Sequence, residues 1–429
     1  MGSGSMNLLK DYLMRLFNRR QFVLCILCGL VSQSQTSFAE EIDKPLTYTI
    51  SQEVLLESKP NEHTWFHPRV AVIPNSDKSR PPSVVMTLQK LLPVSDYFSG
   101  MSSMLFSSDR QQWSKPVAPP ELGWTKGTNG VDIAVADVTP VWHARLQKVI
   151  AVGTQIRYSK QGQQLDDETR SHQTAYAIYD PKTKQWTSWK VLQMPADNKY
   201  DYACSACAQW LVEPDGTLLL PFYHGASSKT PFSVTVVRCT FDGAEIRFKS
   251  QGNTLKLNVV RGLFEPSLIK FQNRYFLTLR NDLKAYVTTS QDGMQFTPIK
   301  AWTFDDGKDL GSYNTQQHWI GHSDGLFLVY TRRGANNDHI VRHRAPLFMA
   351  QVDPAKLTVL RKTEKIIVPE EGALLGNFGA ADINSAESWV TVGERRNYKK
   401  LPKDQWKSNS VLLVKIKWSK PNQTVAGRQ

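Results

Sequence analysis

A chain of 429 residues, 41% of them hydrophobic, can bury a large core and is too long for one simple β-sandwich, so two domains or one repeat architecture are expected. Its 52 Lys and Arg outnumber 39 Asp and Glu, for a net charge of +13, which points to an anionic partner. The basic residues are dispersed, with no run of five, and this excludes a nucleic-acid-binding arm.

The N-terminal five residues, Met1-Gly2-Ser3-Gly4-Ser5, precede a second Met6 and read as an added leader. Arg19-Arg20, an apolar run over 22–31 and Ser37-Phe38-Ala39 follow in the order of a signal peptide, with cleavage predicted after Ala39. Asn18-Arg19-Arg20-Gln21-Phe22 also resembles a twin-arginine signal. The apolar run is shorter than the roughly 20 residues a membrane-spanning helix needs. Residues 40–429 are therefore expected to be periplasmic or secreted, monomeric and off the membrane once the signal is removed, and to form a single domain. Four basic residues and Asp11 lie before position 40, so the remainder keeps a net charge near +10.

Beyond the signal, helical periodicity is nearly absent. Short β-rich runs at 84–88, 149–153, 217–222, 233–237, 275–279 and 326–330 read as strands. Asp215-Gly216, Asp242-Gly243, Asp292-Gly293 and Asp324-Gly325 supply turns between them. Ser107-Ser108-Asp109-Arg110-Gln111-Gln112-Trp113 and Ser290-Gln291-Asp292-Gly293-Met294-Gln295-Phe296 share a Ser-x-Asp-x-x-x-aromatic pattern, echoed by Asp180 to Trp186 and Asp242 to Phe248. An Asp or Ser would cap each turn while the aromatic packs between sheets. These units resemble shortened Asp-box turns of sialidase-type propellers. The fold class expected is all-β, a propeller of six or seven blades, with seven favoured at about 55 residues per blade.

Three cysteines follow the signal. Cys204-Ser-Ala-Cys207 suits a tight disulfide or half of a metal site, and Cys239 is left over. All nine histidines also follow it, most beside aromatics or arginines: His63 and His67, His143, His224, His318, and His339 with His343. Such mixtures suit acid–base chemistry on a polar anionic substrate, although each histidine also has an ordinary role as an inter-strand hydrogen-bonding group. Arg157, Arg238 and Arg280 interrupt apolar runs.

Three longer stretches carry a more specific resemblance. Phe66-His67-Pro68-Arg69, Asp137-Val138-Thr139-Pro140-Val141-Trp142-His143 and 330–348, from Tyr330-Thr331-Arg332-Arg333 to Pro346-Leu347-Phe348, are similar to motifs of the β-propeller uronate lyases, which include ulvan lyases and related rhamnose–glucuronate lyases. The likeness runs over most of 60–395. It implies β-elimination at a rhamnose-α-1,4-glucuronate bond of an anionic polysaccharide or oligosaccharide, with no cofactor required for the chemistry. An arginine would neutralise the uronate carboxylate, a base would take the C5 proton and an acid would protonate O4.

Under that resemblance His143 is the base or the activator of Tyr223, Tyr223 is base or acid, and Arg238 grips the carboxylate. His172 is a second imidazole candidate, and His67 is the key histidine in the rhamnose–glucuronate branch. His63, Arg69, His224, Arg280, His318, Arg332 and Arg342 are the candidate substrate contacts. His318, His322, His339 and His343 could complete a structural zinc or calcium site. Two other readings remain open. A propeller glycoside hydrolase, rhamnosidase or sialidase-like, would need a carboxylate pair, for which Asp137, Glu265 and Asp338 are candidates. A non-catalytic carbohydrate-binding propeller would use Trp65, Trp142, Trp210 and Trp319 for stacking.

Overall fold

The computed structural model describes residues 46–77, 79–92, 96–127, 130–165, 172–400 and 402–426. The expected signal segment and its cleavage site lie outside the described residues. Thr47–Gln429 is one compact unit. Its six antiparallel sheets are the blades of a β-propeller, the smaller of the two expected numbers.

Each blade is a meander whose first strand lines the central channel. These innermost strands are Thr64–Ile73, Asp132–His143, the broken pair Tyr202–Cys204 and Leu211–Val212, Phe264–Phe271, His318–His322 and Leu374–Asp382. Flanked by neighbouring blades, they bury much of their length; Thr64–Ile73, for example, is buried at nine of its ten positions. The ring closes where Tyr48–Ser58 pairs antiparallel with Asn409–Trp418 and becomes the outermost strand of the sixth blade. The first and last strands among the described residues thereby share one sheet.

The core is divided among blade interfaces. Leu219, Val234 and Val236 of the third blade meet Leu268, Leu277 and Leu279 of the fourth. Ile269, Phe276 and Val287 of the fourth blade meet Trp319, Leu326 and Leu328 of the fifth, with the fully buried Trp302 between them. The Ser-x-Asp pattern performs the task expected of it. Asp292 Oδ1 accepts bonds from Ser290 Oγ (2.8 Å), Met294 N (2.8 Å) and Gln295 N (2.7 Å), while Phe296 enters the interface. Asp180 and Asp242 cap their turns in the same way, and Trp186 and Phe248 pack inward. The first copy differs: Ser107 holds that turn, and Asp109 turns outward to Arg80.

Because three donors converge on one carboxylate oxygen, Asp292→Ala should cost about 1–3 kcal/mol, read as a lowered melting temperature. Melting unchanged from wild type would contradict the capping role.

Candidate functional site

The innermost strands do not run smoothly into the channel. Register breaks between Phe66 and Arg69, Ala136 and Thr139, Phe264 and Ser267, and Leu374 and Asn377, near the end where these strands begin. In the third blade the strand is interrupted outright. At these breaks, and just ahead of the fifth blade's innermost strand, the backbone enters the left-handed region at His67 (φ 49°), Asp137 (59°), Cys207 (52°), Glu265 (44°) and Asn314 (49°). In the sixth blade the corresponding break contains Gly376, where an added Cβ would come within 2.6 Å of Arg344 Cδ. Five non-glycine residues in a sparsely populated conformation, one per blade, converge on the channel mouth. Bulges and strain of this kind re-aim side chains at functional sites.

At the centre, His67 Nε2 lies 3.1 Å from Asp137 Oδ1 and 3.9 Å from Cys207 Sγ. Asn377 stands against the same imidazole. Burial, reinforced by the charges of Arg69 and Arg344, holds His67 well below the ordinary histidine range, so it is neutral at neutral pH. Asp137 moves the other way: burial and the neighbouring Glu265 push its carboxyl up to about 6. Glu265 is half-buried, and Arg280 beside it, helped by Arg344 and Arg261, keeps it below the usual range. Arg280 donates to Glu265 and to Asn314 Oδ1 (2.7 Å).

Arg344 is the least compensated cation of the group. Its guanidinium donates to two neutral oxygens, Thr315 Oγ1 (2.9 Å) and Asn314 O (2.8 Å). Burial, followed by repulsion from Arg280 and Arg342, lowers it to about 9, with Arg395 adding to the repulsion and Glu265 opposing it. A half-buried guanidinium among like charges is stabilised by an incoming anion. Tyr223 approaches from the third blade, opposite Cys204 in the sheet. Burial first, then surrounding negative charge that includes Asp137 and Glu265, raises its hydroxyl well above the ordinary range, so it keeps its proton. His172 stacks on Tyr202 with ring centroids 4.5 Å apart, and burial lowers it to about 4.

The structure brings His67, Tyr223, Arg280 and Arg342 to this end of the channel, with His172 and His224 on the flanking third-blade side. It corrects the assignment of His143 and Arg238. His143 bonds Gly216 O at 3.0 Å and accepts from Leu146 N, and Arg238 reaches Thr217 Oγ1 and Asp292 O. Both hold hairpin turns at the opposite end. Arg238 pairs with Leu219, four residues and roughly 13 Å along the strand from Tyr223. The expected Tyr–Arg spacing fell on one hairpin but on its two ends.

Other expected contacts are internal. Arg69 is 2% exposed and donates to Phe378 O, Val138 O and Gln316 Oε1, stapling blades together beneath the site. His318 is wholly buried, bonded to Ser267 Oγ and edge-on to Phe378. Arg332 is paired with Glu364, His224 bonds Lys199 O, and His63 packs on Trp65. The histidine quartet does not assemble: His318 meets Ser267, His322 meets Lys420 O, His339 meets Glu370 and His343 meets Asp338. Cys204, Cys207 and Cys239 are buried free thiols, so the tight disulfide does not form. Of the three candidate carboxylates, Asp137 and Glu265 meet at the mouth, while Asp338 lies exposed beside His343.

The raised Asp137 fixes a sign. Below the ordinary value of 3.8 both folded and unfolded chains hold the proton; between about 4 and 6 the unfolded chain releases it first, so stability falls as pH rises through that window. Asp137→Asn should therefore gain about 1–3 kcal/mol at pH 7 and almost nothing at pH 4, read by melting at both pH values. Equal shifts at both would contradict the burial of this charge.

No protein-family model matches the chain, and no curated protein matches it. Solved structures do. The Trypanosoma rangeli sialidase in complex with the inhibitor DANA superposes with a TM-score of 0.58 at 13% identity, over 85% of this chain and 59% of that one. The NanB sialidase from Streptococcus pneumoniae gives 0.58 at 11% identity, over 86% of this chain and 70% of that one. The chain thus spans about three fifths of the length of the first of these. Identity this low speaks for architecture alone: the protein has a sialidase-like six-bladed β-propeller fold.

Proposed function

We propose that the protein is a carbohydrate-active propeller that cleaves rhamnose-α-1,4-glucuronate bonds in an anionic, ulvan-type polysaccharide by β-elimination at the mouth of its channel. The observation that carries this reading is Arg344, a half-buried guanidinium whose hydrogen bonds among the described residues go to neutral oxygens, set against other guanidiniums and within electrostatic reach of a neutral histidine.

A proton α to a carboxylate is too weakly acidic to leave unless that carboxylate is neutralised first. Arg344, supported by Arg280 and Arg342, neutralises it. Asp137 accepts the Nε2 proton of His67 and so leaves Nδ1 as the base for the C5 proton. The electron pair of the C5–H bond forms the C4–C5 double bond, the C4–O4 bond breaks, and Tyr223 gives its proton to O4. This reading places the protein outside the cytoplasm, as its N-terminal segment leads one to expect.

The test is ultraviolet absorbance of the unsaturated uronate when purified protein meets ulvan, with gum arabic and sialyl-lactose in parallel. A rise on a uronate polymer and none on sialyl-lactose is expected. Reducing sugar released without absorbance would instead favour a second reading, hydrolysis, which Asp137 and Glu265 support because their environments push their proton affinities apart. Activity should also fall with an acidic limb near pH 6 as Asp137 protonates and ceases to hold His67. A profile flat across pH 5–8 would contradict that role.

A further inference from the structure

We infer that His67, Asp137 and Cys207 form a binding site for a zinc-class divalent cation, and that a metal held there switches the proposed reaction off. The three residues come from three blades, and their ligand atoms lie within 4.8 Å of one another. A tetrahedral zinc with bonds of about 2.0–2.3 Å to N, O and S sets its donors about 3.3–3.6 Å apart. The observed separations from His67 Nε2, 3.1 Å to Asp137 and 3.9 Å to Cys207, depart from those edges by a few tenths of an ångström.

All three residues are held in the left-handed region, at 49°, 59° and 52°, a strained conformation of the kind that gathers at ligand sites. An imidazole, a carboxylate and a thiolate favour zinc or cobalt over magnesium or calcium. On binding, the Cys207 thiol releases its proton to solvent, and two anionic donors offset the dication despite Arg69 beneath. Three protein ligands leave a fourth position for water.

The inhibitory half rests on the reading above. Metal on Nε2 fixes the remaining imidazole proton on Nδ1, which removes the lone pair that would accept the C5 proton. Metal and base therefore exclude one another at His67.

The experiment titrates Co²⁺ and Zn²⁺ into the full-length protein. Cobalt bound through a thiolate gives a near-ultraviolet charge-transfer band together with visible ligand-field bands. One equivalent should saturate both, and Cys207→Ser should lose the charge-transfer band while keeping a wild-type circular dichroism spectrum. Asp137→Asn should weaken Co²⁺ binding by more than the roughly 10–100-fold seen on losing an outer-shell partner. No band at stoichiometric cobalt, or a band that survives Cys207→Ser, would overturn the site. With a turned-over substrate, Zn²⁺ should suppress the ultraviolet signal and a chelator restore it; saturated metal with undiminished turnover would overturn the switch. If metal-free protein turns over no uronate, the proposed reaction fails while the cobalt spectrum still decides the site.

Discussion

His67→Ala should lower kcat by about 10²–10⁴-fold on a uronate polymer, the usual contribution of a positioned base. The substitution removes the one imidazole at the centre of the mouth, held neutral by burial and oriented by Asp137. KM should change little, because Arg344 and Arg280 still hold the carboxylate. His143→Ala is the matched control. That residue bonds Gly216 O at the far end of the channel, so its loss should lower melting temperature and leave the catalytic constants near wild type. Equal losses of kcat from both substitutions would mean that the chemistry is not at this mouth.

Arg344→Ala should lower kcat/KM by about 10²–10³-fold, as expected for a donor aimed at charge that develops in the transition state. Arg344→Lys should recover only part of this, since an ammonium keeps the charge and loses the planar fork. Carboxyl-reduced substrate provides the internal check. Without a carboxylate to grip, wild type should fall to the level of the alanine variant, and the two should become indistinguishable. A persistent difference on the neutral substrate would assign Arg344 to packing. The glycine opposite it supplies a further handle: a side chain at Gly376 would collide with Arg344 Cδ, so Gly376→Ala should mimic part of the arginine loss.

The fold was readable because its signals are local. Asp292, Asp180 and Asp242 bond amides two and three residues ahead, so a fixed spacing suffices to reveal the turn and the aromatic that follows. Blade number was not local. The connections between strands, such as 252–263 and 331–346, are long, and six blades with long connections occupy the same length as seven short ones.

The site was legible only in part, for a related reason. His67 and Tyr223 lie at the mouth, but a spacing of 15 from Tyr223 along the chain does not bring Arg238 there. Position along a β-hairpin decides which end of the channel a side chain serves, and four residues of strand move it from one end to the other. A histidine beside aromatics can equally bond a backbone carbonyl, as His143 and His322 do. The stronger signal was the repeat itself. His67 and Asp137 lie 70 residues apart, as do Asp137 and Cys207; His67 and Asp137 interrupt innermost strands, Cys207 lies in the gap of the third blade's broken strand, and Glu265 before Pro266 interrupts the fourth. Read as one interruption per blade, these positions mark the ring that the structure closes. For Arg344 only Arg342 is close in sequence; Arg280 and Arg395 join it only after the blades have assembled.

The most direct test of the central claim is the mass of the product formed in ¹⁸O-labelled water. Elimination breaks the C4–O4 bond without consuming water, so the new uronate end should weigh one water less than a hydrolytic end and carry no label. A product bearing one ¹⁸O at a new reducing end, with no unsaturated uronate, would contradict elimination and assign the Asp137–Glu265 pair to hydrolysis.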